Sequence, residues 1–190
     1  MTLRFGLALV LSLSLAAPAL AGAPATGSRA VKTSKPAPVP KGWAKTLSAD
    51  GGYSLVFPGT AEARKLTHED GTFLANMYVL ELDEGNVAFM SSHSDIPKDR
   101  MSVAPDTILE DAKQGALANT SGTLESEKRI SVDGNAGREL VISTPGGMRT
   151  YVRIVLAKGR LFQAMAVMPR EHGAKKDVRG FLDSFRLEKR

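Results

Sequence analysis

An α+β fold, with helices flanking an antiparallel sheet, is what the sequence predicts, and three observations predict it. From Arg129 to Met168 the chain runs in alternating segments broken by Asp133-Gly134-Asn135, Pro145-Gly146-Gly147 and Lys158-Gly159. These turn sequences supply positive φ at low cost, so the region reads as an antiparallel meander. Near the end, Val178, Phe181, Leu182 and Phe185 fall at i, i+3, i+4 and i+7, an apolar stripe that a helix must bury on a sheet. Strands and helices also come in blocks, which argues against strict βαβ alternation.

The 190-residue chain opens with Arg4, an apolar run from Phe5 to Leu15 and the small-x-small sequence Ala19-Leu20-Ala21. This is the pattern of a secretory signal peptide, with cleavage expected after Ala21, and the run falls short of the ~20 residues that span a bilayer. Residues 22–42 are rich in Ala, Pro, Ser and Thr, with Pro36, Pro38 and Pro40 alternating and Arg29, Lys32, Lys35 and Lys41 unopposed by any acid. They read as a disordered, extended tether. A basic segment touching anionic lipid or cell-wall polymer is the other reading. Residues 43–190 are then a single domain, beginning at Trp43, the one tryptophan.

Within that domain Tyr53, Leu55 and Phe57 share one face of a strand that Pro58-Gly59 stops. Thr60 to Gly71 reads as polar loop or sheet edge. Thr72 to Leu82 is a strand, Asp83 to Asn86 a turn, and Val87 to Ser91 the returning strand; Ser92 to Ser102 then crosses to a helix. Pro105 suits the first helical position and Asp106 the positive end of the helix dipole, while Ile108, Leu109, Ala112 and Ala116 keep helical spacing until Asn119. Thr123 to Val132 is a half-exposed strand. Leu140 and Ile142 align in the next one. In the segment from Met148 to Lys158, Val152, Ile154 and Leu156 take one face and Arg149, Tyr151 and Arg153 the other. Phe162 to Met168 is apolar in both parities, as a central strand covered on both sides would be. Met165 and Met168 there read as core filler. Gly180 inside the last helix suits close approach to a strand, and the cations from Arg186 to Arg190 suit a helix C-terminus.

Charge narrows the function. Of the 25 Lys and Arg, five lie in residues 1–42, leaving 20 to face 20 Asp and Glu in the domain. A neutral domain argues against nucleic acid as partner. Acids dominate residues 43–128 and bases residues 129–190; the two sets either face each other inside the fold or make two poles on its surface. Cysteine is absent, which excludes disulfides and a lipoprotein anchor, so the core must hold the fold by itself.

Few residues carry chemistry. His68, His93 and His172 lack the spacing of a zinc site, and no cofactor or metal is expected. His68-Glu69-Asp70 reads as a solvated loop. Ser92, His93 and Asp95 have the composition of a hydrolase triad, but such triads are assembled by tertiary geometry, and no Gly-x-Ser-x-Gly elbow accompanies them. Arg149, Tyr151 and Arg153 would set two guanidinium groups around an aromatic ring, a candidate partner or anion surface. Cross-strand pairing to Glu139 or Glu127 is the alternative.

The segments from Gly52 to Gly59, from Asp133 to Leu140 and from Phe181 to Phe185 resemble a pattern in exported bacterial proteins of unknown function, which in turn are similar to the PsbP-like superfamily. The resemblance implies an α/β/α sandwich around an antiparallel sheet, used for binding and assembly. It carries over no ligand residue. The expectation is an exported, periplasmic or secreted, non-enzymatic domain that binds or supports a cell-envelope partner, without a transmembrane segment after cleavage. A small periplasmic hydrolase built on Ser92, His93 and Asp95, or an anion-binding module using Arg149 and Arg153, stands as the alternative.

Overall fold

Two-residue turns close the meander where the sequence places them. Asp133 and Gly134 hold φ of 50° and 81°, and Lys158 and Gly159 hold 52° and 70°, the doubly positive geometry whose twist matches the strands it joins. In the computed structural model, which describes residues 39–48, 50–67, 73–172 and 175–188, the strands are β1 (Ala44–Ser48), β2 (Tyr53–Phe57), β3 (Glu62–Thr67), β4 (Phe73–Leu82), β5 (Val87–Asp95), β6 (Thr123–Val132), β7 (Asn135–Thr144), β8 (Met148–Ala157), β9 (Arg160–Pro169) and β10 (Arg186–Leu187). The helices are α1 (Pro105–Thr120) and α2 (Lys175–Asp183). The expected signal peptide, all but the end of the tether, and His68-Glu69-Asp70 lie outside the described residues.

Seven strands pair in the order β3-β4-β5-β9-β8-β7-β6, antiparallel throughout, and β1-β2-β10 form a separate antiparallel sheet. β9 is the middle strand of the seven and is buried along nearly its whole length. Its two parities feed two cores. Phe162, Ala164, Ala166 and Met168 join Val87, Phe89 and Val155 beneath β2 and α2, while Leu161, Met165 and Val167 join Leu140, Ile142, Val152 and Ile154 beneath α1.

The small sheet shares no strand pairing with the large one, so side chains attach it. Tyr53, Leu55 and Phe57 are each at most 1% exposed. Phe57 meets Phe181 at 5.0 Å between ring centroids, and Tyr53 meets Phe162 at 5.6 Å. Burying a large apolar side chain contributes roughly 1.5–3 kcal/mol, so this aromatic seam is enough to hold a layer that lacks shared backbone hydrogen bonds.

Of the two readings of Thr60 to Gly71, sheet edge is the one that holds for Glu62–Thr67, which pairs with β4 as an edge strand where Glu62, Arg64 and Lys65 face solvent; charge on an edge suits a strand whose outer side must not pair. Two segments differ from expectation. β5 runs on to Asp95 because Ser92, His93 and Ser94 pair with Gln163, Phe162 and Leu161 of β9, so the polar stretch read as a crossing is strand. The cations at the end do not extend α2. The helix stops at Asp183, Phe185 is buried beyond it, and Arg186 and Leu187 pair with Ser54 and Tyr53. Gly180 faces Trp43 rather than a strand, and an added Cβ would lie 3.2 Å from the indole.

Candidate functional site

Arg149, Tyr151 and Arg153 share a face of β8, and α2 divides them. Arg153 is 3% exposed. Its guanidinium pairs with Glu139, the residue opposite on β7, reaches Asp183 at 2.6 Å, and donates to the Leu182 carbonyl. That carbonyl is in the last turn of α2, where helix carbonyls lack internal partners. Arg179 adds a second cation, 3.1 Å from Glu139 and 2.9 Å from Asp183. Burial alone would raise the Glu139 carboxyl; Arg153 and Arg179 outweigh it and hold that group below the usual carboxylate range. Arg153 therefore works as a strut between helix and sheet, making the cross-strand pair to Glu139 that the sequence left open.

Arg149 lies away from the helix, next to the turn at Pro145–Gly147. Its guanidinium is 2.9 Å from Glu125, and Arg170 reaches the same carboxylate while also bonding the Ser143 hydroxyl at 3.1 Å. Glu125 sits where the β6 register shifts between Leu124 and Ser126, and such a bulge re-aims a side chain. Two guanidinium groups thus share one carboxylate beside the half-buried Tyr151. Arg170 and Glu125 were not apparent as site residues in the sequence: one lies just past a strand end, the other in a charged edge strand.

Strand geometry separates the hydrolase-like residues. Successive side chains of a strand point to opposite faces. His93 shares the face of Val87 and Phe89 and meets the rings of Tyr53 at 5.8 Å and Phe162 at 6.4 Å. Ser92 shares the opposite face with Met90. A nucleophile and base on opposite sides of a sheet cannot form a triad, so the reading built on Ser92, His93 and Asp95 is corrected. Asp95 instead pairs with Arg160 at 2.6 Å, and Arg160 also donates to the Asp50 and Gly51 carbonyls. The serine on the histidine's side is Ser91, whose hydroxyl lies 3.1 Å from the Tyr53 phenol. Burial pushes that phenol up to about 12.

The uneven charge is answered in part inside the fold. Arg138, 5% exposed, meets Glu127 and Glu110 and approaches Asp106, while Arg129 pairs with Asp106 at 2.9 Å. Lys113 of α1 joins Glu110 at 2.7 Å and Glu127 at 3.0 Å. Burial raises Glu110, but hydrogen bonds from Lys113, Gln114 and Arg138 bring it down to about 2. Together with Arg149, Arg160 and Arg170, the Arg129 and Arg138 contacts set bases of the second stretch against acids of the first, the face-to-face arrangement, while Lys113 pairs within the first stretch. Among the described residues no group of three or more His, Asp or Glu is placed to hold a metal ion, and no helix is long and apolar enough to cross a membrane. His172 lies in the turn after β9.

No protein-family model matches the chain, and no curated protein matches it. Among solved structures it is similar to cyanobacterial PsbP (CyanoP) from Synechocystis sp. PCC 6803, with 11% identity over 77% of this chain and 92% of that one and a TM-score of 0.58. The Saccharomyces cerevisiae Ran-binding protein Mog1p aligns at 8% identity over 76% of this chain and 95% of that one, with a TM-score of 0.47. The fold is PsbP-like.

Proposed function

We propose that this chain is an exported, non-enzymatic binding domain, residues 43–190 forming one PsbP-like α/β/α sandwich that docks a partner in the cell envelope. The observation that supports it is where the reactive side chains lie. Ser91 and His93 sit inside an aromatic seam and Arg153 under a helix, so they serve packing. The likeness to CyanoP supports the sandwich.

A second reading is favoured by Glu125. Two arginines, Arg149 and Arg170, converge on that one carboxylate, leaving an excess positive charge that a carboxylate or phosphate of a partner could take up. Arg170 here replaces Arg153 of the surface expected from the sequence.

Residues 1–42 fused ahead of a phosphatase that is active only outside the cytoplasm test export, and an inactive fusion refutes it. Photo-crosslinking probes at Leu47, Arg64 and the exposed Glu171 beside Arg170 in the native host test docking. Adducts from one position and not the others support a partner surface; no adduct from any refutes it. Loss of the Glu171 adduct in Arg149→Gln selects the anion-led reading.

A further inference from the structure

The seam between the two sheets holds a titratable ring that its packing leaves unsatisfied. His93 is 9% exposed, and its Nδ1 is buried without a hydrogen-bond partner. Tyr53 from β2 and Phe162 from β9 cover the imidazole, and Tyr53 is backed by Phe185 at 5.7 Å. The small sheet thus rests on this histidine through its most deeply buried tyrosine. The ionisable groups facing it are Arg160 from β9, Asp95 from β5 itself, Asp50 from the turn between β1 and β2, and the Tyr53 phenol from β2. The Arg160 guanidinium is the cation among them, and it already bonds Asp95 and the turn carbonyls.

We propose that His93 is an acid-responsive latch, whose protonation releases the β1-β2-β10 sheet from the seven-stranded sheet while the meander stays folded. An imidazolium there would place a second cation near Arg160, between two rings, with one N–H unpaired, which a buried site tolerates poorly. Opening relieves this by letting in water. The small sheet shares no strand pairing with the large sheet, while α2 remains tied down through Arg153 to Glu139. Release of the small sheet also breaks the Val56–Ser184 hydrogen bond and the Phe57–Phe181 contact that join β2 to the α2 end. The second core, under α1, is on the far side and is untouched.

Burial first, and Arg160 second, hold His93 below the usual imidazole value, against the pull of Asp95 and Asp50. The sign follows. Above the ordinary value of about 6.5 the ring is neutral in both states and nothing is lost. Below it the open form takes the proton that the closed form refuses, so the open-to-closed ratio climbs by up to about tenfold per pH unit, levelling off below the closed-state value.

Trp43, the only tryptophan, packs over Gly180 at the entry to β1 and reports the event. As the full-length protein is taken from about pH 7.5 to about pH 5, we expect Trp43 emission to shift red. Amide protection in β1 and β2 should fall by tenfold or more while β8 and β9 hold, and His93→Gln should flatten both responses. Should that variant fail to fold, the wild-type His93 ring resonance, followed by NMR, must titrate below about 6.5. Protection in β1 and β2 that tracks β8 and β9, a response unchanged in His93→Gln, or a His93 midpoint at or above that value overturns the proposal.

Discussion

Replacing Arg153 with methionine removes a buried cation and leaves its volume nearly filled. The strut joins three groups: Glu139 on β7, Asp183 at the end of α2 and the Leu182 carbonyl. Breaking a buried ion pair from one side costs about 3–5 kcal/mol, mostly because the surviving charge is stranded. Here Arg179 still meets Glu139, and Asp183 has a 43% exposed side chain, so the low end, about 3 kcal/mol, is expected. For a domain of this size that is a fall in Tm of about 6–12 °C. Urea denaturation followed through Trp43 measures it. Removing Glu139 as well, in R153M/E139L, should recover most of the loss, since an apolar pair replacing a whole ion pair is often neutral. The pH profile gives an independent reading. Glu139 is depressed in the fold, so its contribution is present above the ordinary carboxylate range and lost as pH falls through the folded value; that acid-side loss should shrink in R153M. A cost under about 1 kcal/mol, or a double variant less stable than R153M, refutes the strut.

Gly115→Ala and Gly180→Ala should behave oppositely. Both lie in helices, where alanine gains about 1 kcal/mol over glycine, but a Cβ at Gly115 meets open space whereas one at Gly180 presses on the Trp43 ring; the urea midpoint should rise for the first and stay level or fall for the second. Tyr53→Phe should cost about 1–2 kcal/mol by leaving the Ser91 hydroxyl without its partner. In the wild type the raised Tyr53 phenol contributes stability that is full below pH about 10 and lost as pH climbs through about 12, a loss absent from Tyr53→Phe. Gly137→Ala would set a Cβ 2.5 Å from the Ile154 carbonyl oxygen and should cost about 2 kcal/mol or more in thermal melts by forcing β7 from β8.

Legibility in the sequence followed burial. β8 and β9 were readable because apolar residues fill one or both of their parities, and α2 because its stripe is wide. Ser92-His93-Ser94-Asp95 looks like a loop by composition. It is strand because β9 supplies a register partner for each residue, information that lies about 65 residues away and not in the local pattern. The two residues of β10 carry no periodicity, and only their pairing to β2 makes them a strand. Alternation alone marks the Arg149–Tyr151–Arg153 face, yet it cannot say that Arg153 is tied to the end of α2 while Arg149 is held by Glu125.

The small sheet joins the first strand of the domain to the last. Glu188 donates its amide to the Gly52 carbonyl, and its carboxylate is 3.8 Å from Lys45. Glu188 lies at the Gly52 end of β2 and the start of β1 at the Phe57 end, so a loop of about ten residues, at roughly 3.3 Å each, would reach from one to the other. A circularly permuted protein, reopened at the exposed Asp83–Asn86 tip between β4 and β5, should then fold without the chain order in which the domain is made.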